Sequence, residues 1–279
     1  MVDVDSGDAG QIVDSSSQAL VEELRQKKRI EPLAPWFLGI VVGANLYAAY
    51  KGLQPGFVAA IAAAAIIGFV LFRRFDAHRK TTVIFYDFGD GTENTFRGIH
   101  DAFEALANVQ RIWHIPSKGE VRDGKYHAGA NELVRRTRIH VGFDAPPLVK
   151  TNIPTPSLSV GTQKLYFFPD RLLIFEKSSI GGVSYSEVGI HIDTTAFIED
   201  QGVPSDSETI GQTWRYVNKK GGPDRRFKDN RELPIARYEV VHLTTTSGLN
   251  ELLHVSRVGT FQRVRESVAA FSQFTKELT

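Results

Sequence analysis

The chain has no cysteine and a single methionine among its 279 residues. Without cysteine it forms no disulfide, offers no thiol nucleophile and holds no thiolate-bound metal. Such a composition suits a reducing, cytosolic environment. The common catalytic signatures are missing as well: no HExxH, GxSxG, P-loop or GxGxxG occurs in the sequence. No enzyme signal or cofactor signature stands out. Charge of one sign is not in excess either, since 33 basic and 32 acidic residues leave a net charge of +1. That balance argues against a dedicated nucleic-acid binder, whose footprint is basic, although a local basic patch remains compatible with it.

Charge is absent altogether from residues 33–50 (LAPWFLGIVVGANLYAAY) and 57–72 (FVAAIAAAAIIGFVLF). As helices these runs would each span about 24–27 Å, close to the ~30 Å hydrocarbon core of a bilayer. Lys51-Gly52-Leu53-Gln54-Pro55-Gly56 between them reads as a tight turn. The alternative is a helical hairpin buried in a soluble core. The flanks favour the membrane: Arg25, Lys27, Lys28 and Arg29 precede the first run, and Arg73, Arg74, Arg79 and Lys80 follow the second. By the positive-inside rule both chain ends and the bulk of the protein then lie in the cytoplasm, at a plasma (inner) membrane. Neither span carries an ionisable side chain that could line a transport route. Gly39 and Gly43 form a GxxxG, and Ala60, Ala64 and Gly68 repeat the spacing. Small residues four apart let helices approach closely, either within the hairpin or in a homo-oligomer.

Ahead of the hairpin, residues 1–17 are acidic and rich in Ser and Gly. They lack the basic start of a signal peptide and are expected to be disordered. Residues 18–32 read as a short amphipathic helix with a basic end, the topological anchor of the hairpin. Beyond it, residues 81–150 begin as an α/β unit. The run 81–88 (TTVIFYDF) reads as a strand, Asp90 and Glu93 as a capping box, and Phe96, Ile99, Phe103 and Leu106 as the apolar stripe of a helix. Residues 109–115 (VQRIWHI) close a β-α-β unit, while 116–150 carry no clear pattern.

Residues 151–279 are patterned as short antiparallel strands. Strands are expected at 164–168, 171–176, 183–188, 189–198, 236–245 and 251–256, with 177–182 as a two-glycine loop. A helix from Thr260 carries an apolar stripe of Phe261, Val264, Val268, Phe271, Phe274 and Leu278. The expected class is α+β: a transmembrane hairpin, then a bent sheet or small barrel capped by the terminal helix.

Leu165-Tyr-Phe-Phe-Pro-Asp170-Arg-Leu-Leu-Ile-Phe followed by Gly181-Gly-Val-Ser-Tyr185-Ser-Glu-Val resembles bacterial pleckstrin-homology-like domains. The block from Thr213 to Pro234 (TWRYVNKKGGPDRRFKDNRELP) is similar to one in uncharacterised, often membrane-linked bacterial proteins. The resemblance covers 151–279 and implies a pleckstrin-like domain, with residues 199–234 as an insertion foreign to the minimal pattern. No binding residue is carried over from it.

That insertion holds the richest constellation in the chain. Arg215, Lys219, Lys220, Arg225, Arg226, Lys228 and Arg231 stand close together, with Trp214, Tyr216 and Phe227 among them. Arginine forks suit phosphate or carboxylate, and Gly221-Gly222-Pro223 would make an anion-binding nest of backbone N–H groups. The opposing expectation is a hairpin whose arginines pair with Asp224, Asp229 and Glu232. An acidic turn of Asp87, Asp90 and Glu93 does not have the spacing of a Ca²⁺ loop. His191 and Asp193 alternate along a strand, and His114, His242 and His254 sit in apolar runs where satisfied histidines are the rule. The reading that follows is a membrane-anchored, non-enzymatic binding module whose partner is the bilayer together with a protein or an anionic phosphate ligand. Two alternatives stand beside it: a hydrolase or nuclease built around the 213–234 loop, and a membrane effector that oligomerises through Gly39 and Gly43.

Overall fold

A computed structural model describes residues 2–88, 90–120 and 132–277. The chain forms two compact units, one of Glu22–Tyr86 with Pro146–Asn152 and one of Met1–Val21, Asp87–Ala145 and Ile153–Thr279.

The smaller unit is dominated by helices α2 (Ala34–Tyr50) and α3 (Pro55–Lys80), each with a proline in its first turn where no amide donor is lost. The least exposed residues of α2 are Ala34, Phe37, Val41, Asn45 and Ala48, a stripe three and four apart that turns toward α3. Phe37 stacks on Phe72 at 4.7 Å. Gly68 makes room for the Phe37 ring, since a Cβ there would lie 2.5 Å from its Cζ. The close packing expected of Gly39 and Gly43 is not made within the hairpin, because nothing comes within 4 Å of either position. At the open end Asp76 of α3 accepts the Ala34 amide at 2.8 Å and so caps α2 from across the hairpin.

The remaining surface of the pair is apolar and bare, with Trp36 68 %, Ile40 71 % and Tyr50 83 % exposed. The stretches Gln18–Tyr50 and Pro55–Lys80 contain windows long and apolar enough to cross a membrane, and these windows are only 11 % and 0 % buried. They are therefore not buried as core helices within this chain. Helix α1 (Gln18–Arg29) ends in Lys27, Lys28 and Arg29 as expected. In this unit Lys27 bridges Glu23 at 2.8 Å and donates to the Thr81 carbonyl at 2.9 Å. A short parallel pair, β2 (Thr82–Ile84) with β6 (Val149–Thr151), completes the unit.

The larger unit contains two antiparallel sheets, one of which is curled. Five strands run in the order β10 (Ile180–Val183), β9 (Leu172–Phe175), β8 (Gln163–Phe167), β7 (Pro156–Val160) and β5 (His140–Phe143). The seven-stranded sheet has the path β1 (Val2–Asp3), β3 (Ile112–Glu120), β14 (Asn250–Val255), β13 (Glu232–Thr245) and β11 (Val188–Ile198). Strand β4 (Glu132–Arg138) pairs with β3, and β12 (Thr209–Trp214) with β13. Helices α4 (Asp90–Ala107) and α5 (Thr260–Glu277) pack on one another. Phe103 of α4 meets Phe167 at 4.7 Å, and Phe271 of α5 stacks on Tyr185 at 5.4 Å. The expected stripes of both helices are buried at Phe96, Ile99, Phe103 and Leu106 and at Phe261, Val264, Val268 and Phe271. Buried Glu239 of β13 accepts the amides of Gly259 and Phe261 and thereby caps α5. The capping role expected of Asp90 involves a side chain outside the described residues.

Several expectations are corrected. The strand–helix–strand order over 81–115 is present, but its strands belong to different sheets, β2 with β6 and β3 with β14. The sheets do not begin at 151, since β1, β3, β4 and β5 all contribute. The strand placed at 183–188 lies instead at 180–183, with a single helical turn at Tyr185–Glu187 after it. Its two glycines are strand residues rather than a loop, because another stretch of backbone crosses them. A Cβ on Gly181 would lie 2.4 Å from the Ala9 carbonyl oxygen and 2.5 Å from that of Ile12.

The crossing backbone is the segment expected to be disordered. Residues 2–17 are ordered: β1 pairs with β3, Ala9 and Ile12 are wholly buried, and Gly182 donates to the Ile12 carbonyl at 2.9 Å. Its low hydrophobicity misleads because part of its packing is by backbone: its carbonyls fill the space over Gly181, while the Val21, Leu173 and Ser17 side chains fill that over Gly182. Asp14 clasps the segment by accepting the Ser17 amide at 2.8 Å and the Ser184 amide. Burial works to raise the Asp14 carboxyl, but the Ser184 amide and the Ser17 and Ser16 donors outweigh it and hold the group below its ordinary 3.8. A lowered native value means stability that is present above 3.8 and lost as pH falls through the native value. Acid titration should therefore free the first 17 residues to protease before the rest of the unit opens, and Asp14→Asn should move that release to higher pH. Equal acid sensitivity of the two proteins would contradict this role for the carboxylate.

Candidate functional site

The insertion is a long hairpin between β12 and β13, and its order comes from within. The Arg215 amide donates to the Arg231 carbonyl at 2.9 Å. Asn230 bridges both backbone groups of Tyr216, accepting its amide at 3.0 Å and donating to its carbonyl at 2.8 Å. Tyr216 and Phe227 stack with ring centres 4.0 Å apart and planes 15° from parallel. Asp224 is buried beneath, accepting from Arg226 Nε at 3.0 Å and Nη2 at 2.8 Å. These two aromatic rings are thus spent on each other.

The nest expected at Gly221-Gly222-Pro223 is occupied by the loop itself. Asn218 Oδ1 accepts the amides of Lys220 at 2.8 Å and Gly222 at 3.2 Å, and its carbonyl accepts that of Gly221 at 3.0 Å. An asparagine four residues before the second glycine carries the signal, because its side chain competes for the amides a nest would offer. Gly221 itself sits at φ +83°, which accounts for a glycine at the turn.

The basic side chains divide into two sets. Arg215 lies 3.3 Å from Asp229, Arg226 grips Asp224, and Arg231 reaches the Asp200 carbonyl at 3.4 Å. Trp214 closes β12 opposite Glu232. Lys219, Lys220, Arg225 and Lys228 are all exposed, and their side chains meet no hydrogen-bond or ion-pair partner among the described residues. These form the cationic surface of the hairpin.

A second polar constellation is buried on the seven-stranded sheet. Glu199 is wholly buried and accepts from Arg136 at 2.9 and 3.3 Å, while Arg111 lies 3.5 Å away. Tyr238 donates to the same carboxylate at 2.6 Å, and its phenol is pushed far above its usual range by burial and then by that carboxylate. The Arg136 guanidinium sits between Trp113 at 4.4 Å and Phe197 at 4.8 Å. Arg136 and Tyr238 thus converge on one carboxylate, while Arg111 donates to the Gly202 carbonyl at 2.8 Å beside it, an arrangement that neutralises charge and fixes geometry.

His191, Asp193, His242, His254 and Glu93 do not converge. His191 stands opposite His242 across β11 and β13, both His191 and Asp193 are exposed, and His242 is held to Asn250 Oδ1 at 2.7 Å. His254 is buried beside Phe197 and Tyr238. Glu93 of the acidic turn pairs with Arg97 at 2.8 Å. A shallow groove of about 330 Å³ runs between β11 and α5, with Ile190, Val268 and Arg265 in its walls. The chain matches no family model, and comparison with curated proteins and with solved structures found none similar to it.

Proposed function

We propose that the protein is a membrane-tethered binding module whose larger unit is pleckstrin-like and whose 213–234 hairpin takes a phosphate-bearing ligand. The observation that carries the ligand class is the set Lys219, Lys220, Arg225 and Lys228, exposed cations without partners among the described residues, on a tip held rigid by the Tyr216–Phe227 stack. Ordering such a tip in advance lowers the entropic cost of binding an anion. The order of β7 to β10 in one sheet, then β11, β13 and β14 in the next, then α5, supports the pleckstrin-like reading. The hairpin of α2 and α3 would keep the module at the membrane, where tethering raises the effective concentration of a weak site. The basic flanks support a cytoplasmic placement of that module.

The full chain in detergent should be stabilised by inositol polyphosphate or by ATP, and reconstituted chain should recruit soluble phosphate ligand in proportion. Changing Lys219, Lys220, Arg225 and Lys228 together to Gln should weaken this roughly tenfold or more and remove most of its salt dependence, while the melting temperature of the free protein stays put. Preference for inositol phosphate over ATP would indicate a lipid headgroup, and the reverse a nucleotide. Binding that survives the quadruple change, or no binding in the parent, would refute the site and turn attention to a protein partner.

A further inference from the structure

A third cluster lies apart from both constellations. His114 on β3 and Glu251 on β14 are diagonal neighbours on one face of the sheet, because Leu253 stands opposite His114. Their side chains are 2 % and 1 % exposed. The N-terminal segment brings a third group: the Val4 amide donates to the Pro116 carbonyl at 2.9 Å, which sets Asp5 beside the pair with Oδ1 3.5 Å from His114 Nε2. Glu251 Oε2 lies 2.8 Å from the same nitrogen.

His114 Nε2 and Glu251 Oε2 stand at ion-pair distance without the alignment of a hydrogen bond, and Asp5 Oδ1 accepts the Ser6 amide at 3.1 Å. His114 Nδ1, His114 Nε2 and Glu251 Oε2 are buried atoms with no hydrogen-bond partner. Unsatisfied polar atoms at such depth are costly, and a buried carboxylate oxygen most of all. The other Glu251 oxygen is well served, accepting from Ser6 Oγ at 2.6 Å, and Ser6 Oγ in turn accepts the Asn250 amide at 2.8 Å. Gly161, at φ +55°, leaves the histidine its space, since a Cβ there would lie 3.1 Å from His114 Cε1. One nitrogen and two carboxylate oxygens lie within 4.8 Å of one another.

We infer that Asp5, His114 and Glu251 form a binding site for one divalent transition cation. An imidazole nitrogen with two carboxylates suits Zn²⁺, Mn²⁺ or Fe²⁺, whereas Ca²⁺ requires more oxygen ligands than this cluster supplies. Ser6 orients the Glu251 carboxylate, as outer-shell partners of metal ligands do. Asp5 is 40 % exposed on its side chain, which gives the site its way in. The ligands come from positions far apart in the chain, so the cation would fasten the N-terminal segment to the sheet. This site does not depend on the basic hairpin or its ligand.

The test uses the full chain in detergent, stripped with a chelator and titrated with Zn²⁺ and separately with Mn²⁺. One ion per chain is expected by calorimetry and by elemental analysis, together with a higher melting temperature and slower protease cleavage within the first 17 residues. Glu251→Gln should abolish binding. Should that variant fail to fold, Asp5→Asn decides, because it changes a half-exposed side chain and should weaken the ion at least tenfold. Ser6→Ala should weaken it about 10–100-fold by freeing the carboxylate. Absence of stoichiometric binding by either ion, or equal affinity in the parent and Asp5→Asn, would overturn the assignment and leave a buried His114–Glu251 pair.

Discussion

Removing the Glu199 carboxylate should be the most damaging single substitution in the larger unit. Glu199→Ala leaves the Arg136 guanidinium, 14 % exposed, without its bidentate partner and leaves Tyr238 without its acceptor. Breaking a buried pair from one side costs about 3–5 kcal/mol, because the surviving charge stays desolvated. Chemical denaturation of the full chain should register that loss. The companion experiment is more telling. With Glu199→Leu and Arg136→Leu together, most of the stability should return, since the net worth of a buried pair against apolar replacements is small. A single variant that loses less than about 1 kcal/mol would mean that the network is solvated.

Gly181→Ala should have the next largest effect, out of proportion to one methyl group. The added Cβ would meet the carbonyl oxygens of Ala9 and Ile12 at 2.4 and 2.5 Å, and both are backbone atoms that no rotamer change can move aside. Either β10 or the N-terminal segment must shift, at a cost of about 1–3 kcal/mol typical of overpacking. The segment is held by fewer contacts than the strand, so it should yield. Faster hydrogen exchange at the amides of Ile12, Asp14 and Ser17, with β9 and β10 unchanged, is the expected signature. Unaltered exchange in the segment would show that β10 moves instead.

The hairpin was legible because its signal is local. A run of apolar residues without charge, a turn with glycine and proline, and basic flanks all stand in contiguous sequence, and α2 and α3 follow them closely. The same holds for α5, whose stripe at three- and four-residue steps is buried along the described side chains. The strands from 163 to 175 and from 188 to 198 were readable for the same reason. Asp76 was not readable: its role is to cap a helix 42 residues away, and only the hairpin geometry brings it there.

The candidate sites were legible in proportion to how local they are. The basic hairpin stood out by composition, yet composition could not separate Arg226, held by Asp224, from Arg225, which meets no partner among the described residues. The Asn218 side chain that closes the nest could have been weighed from the turn chemistry alone. The cluster of Asp5, His114 and Glu251 left no such trace. Its members stand singly in the sequence, one of them in a segment whose composition reads as disorder.

The sequence by itself determined the membrane-compatible hairpin, the α+β class and the apolar faces of the helices, since periodicity and local charge decide them through near neighbours. Tertiary structure alone decided the rest. It recruited the polar N-terminal segment into the larger unit, because Gly181 on β10 leaves room for its backbone. It sent β2 and β3 to different sheets and joined Glu199, Arg136 and Tyr238 in one network, because strand pairing and buried charge are satisfied by partners far along the chain.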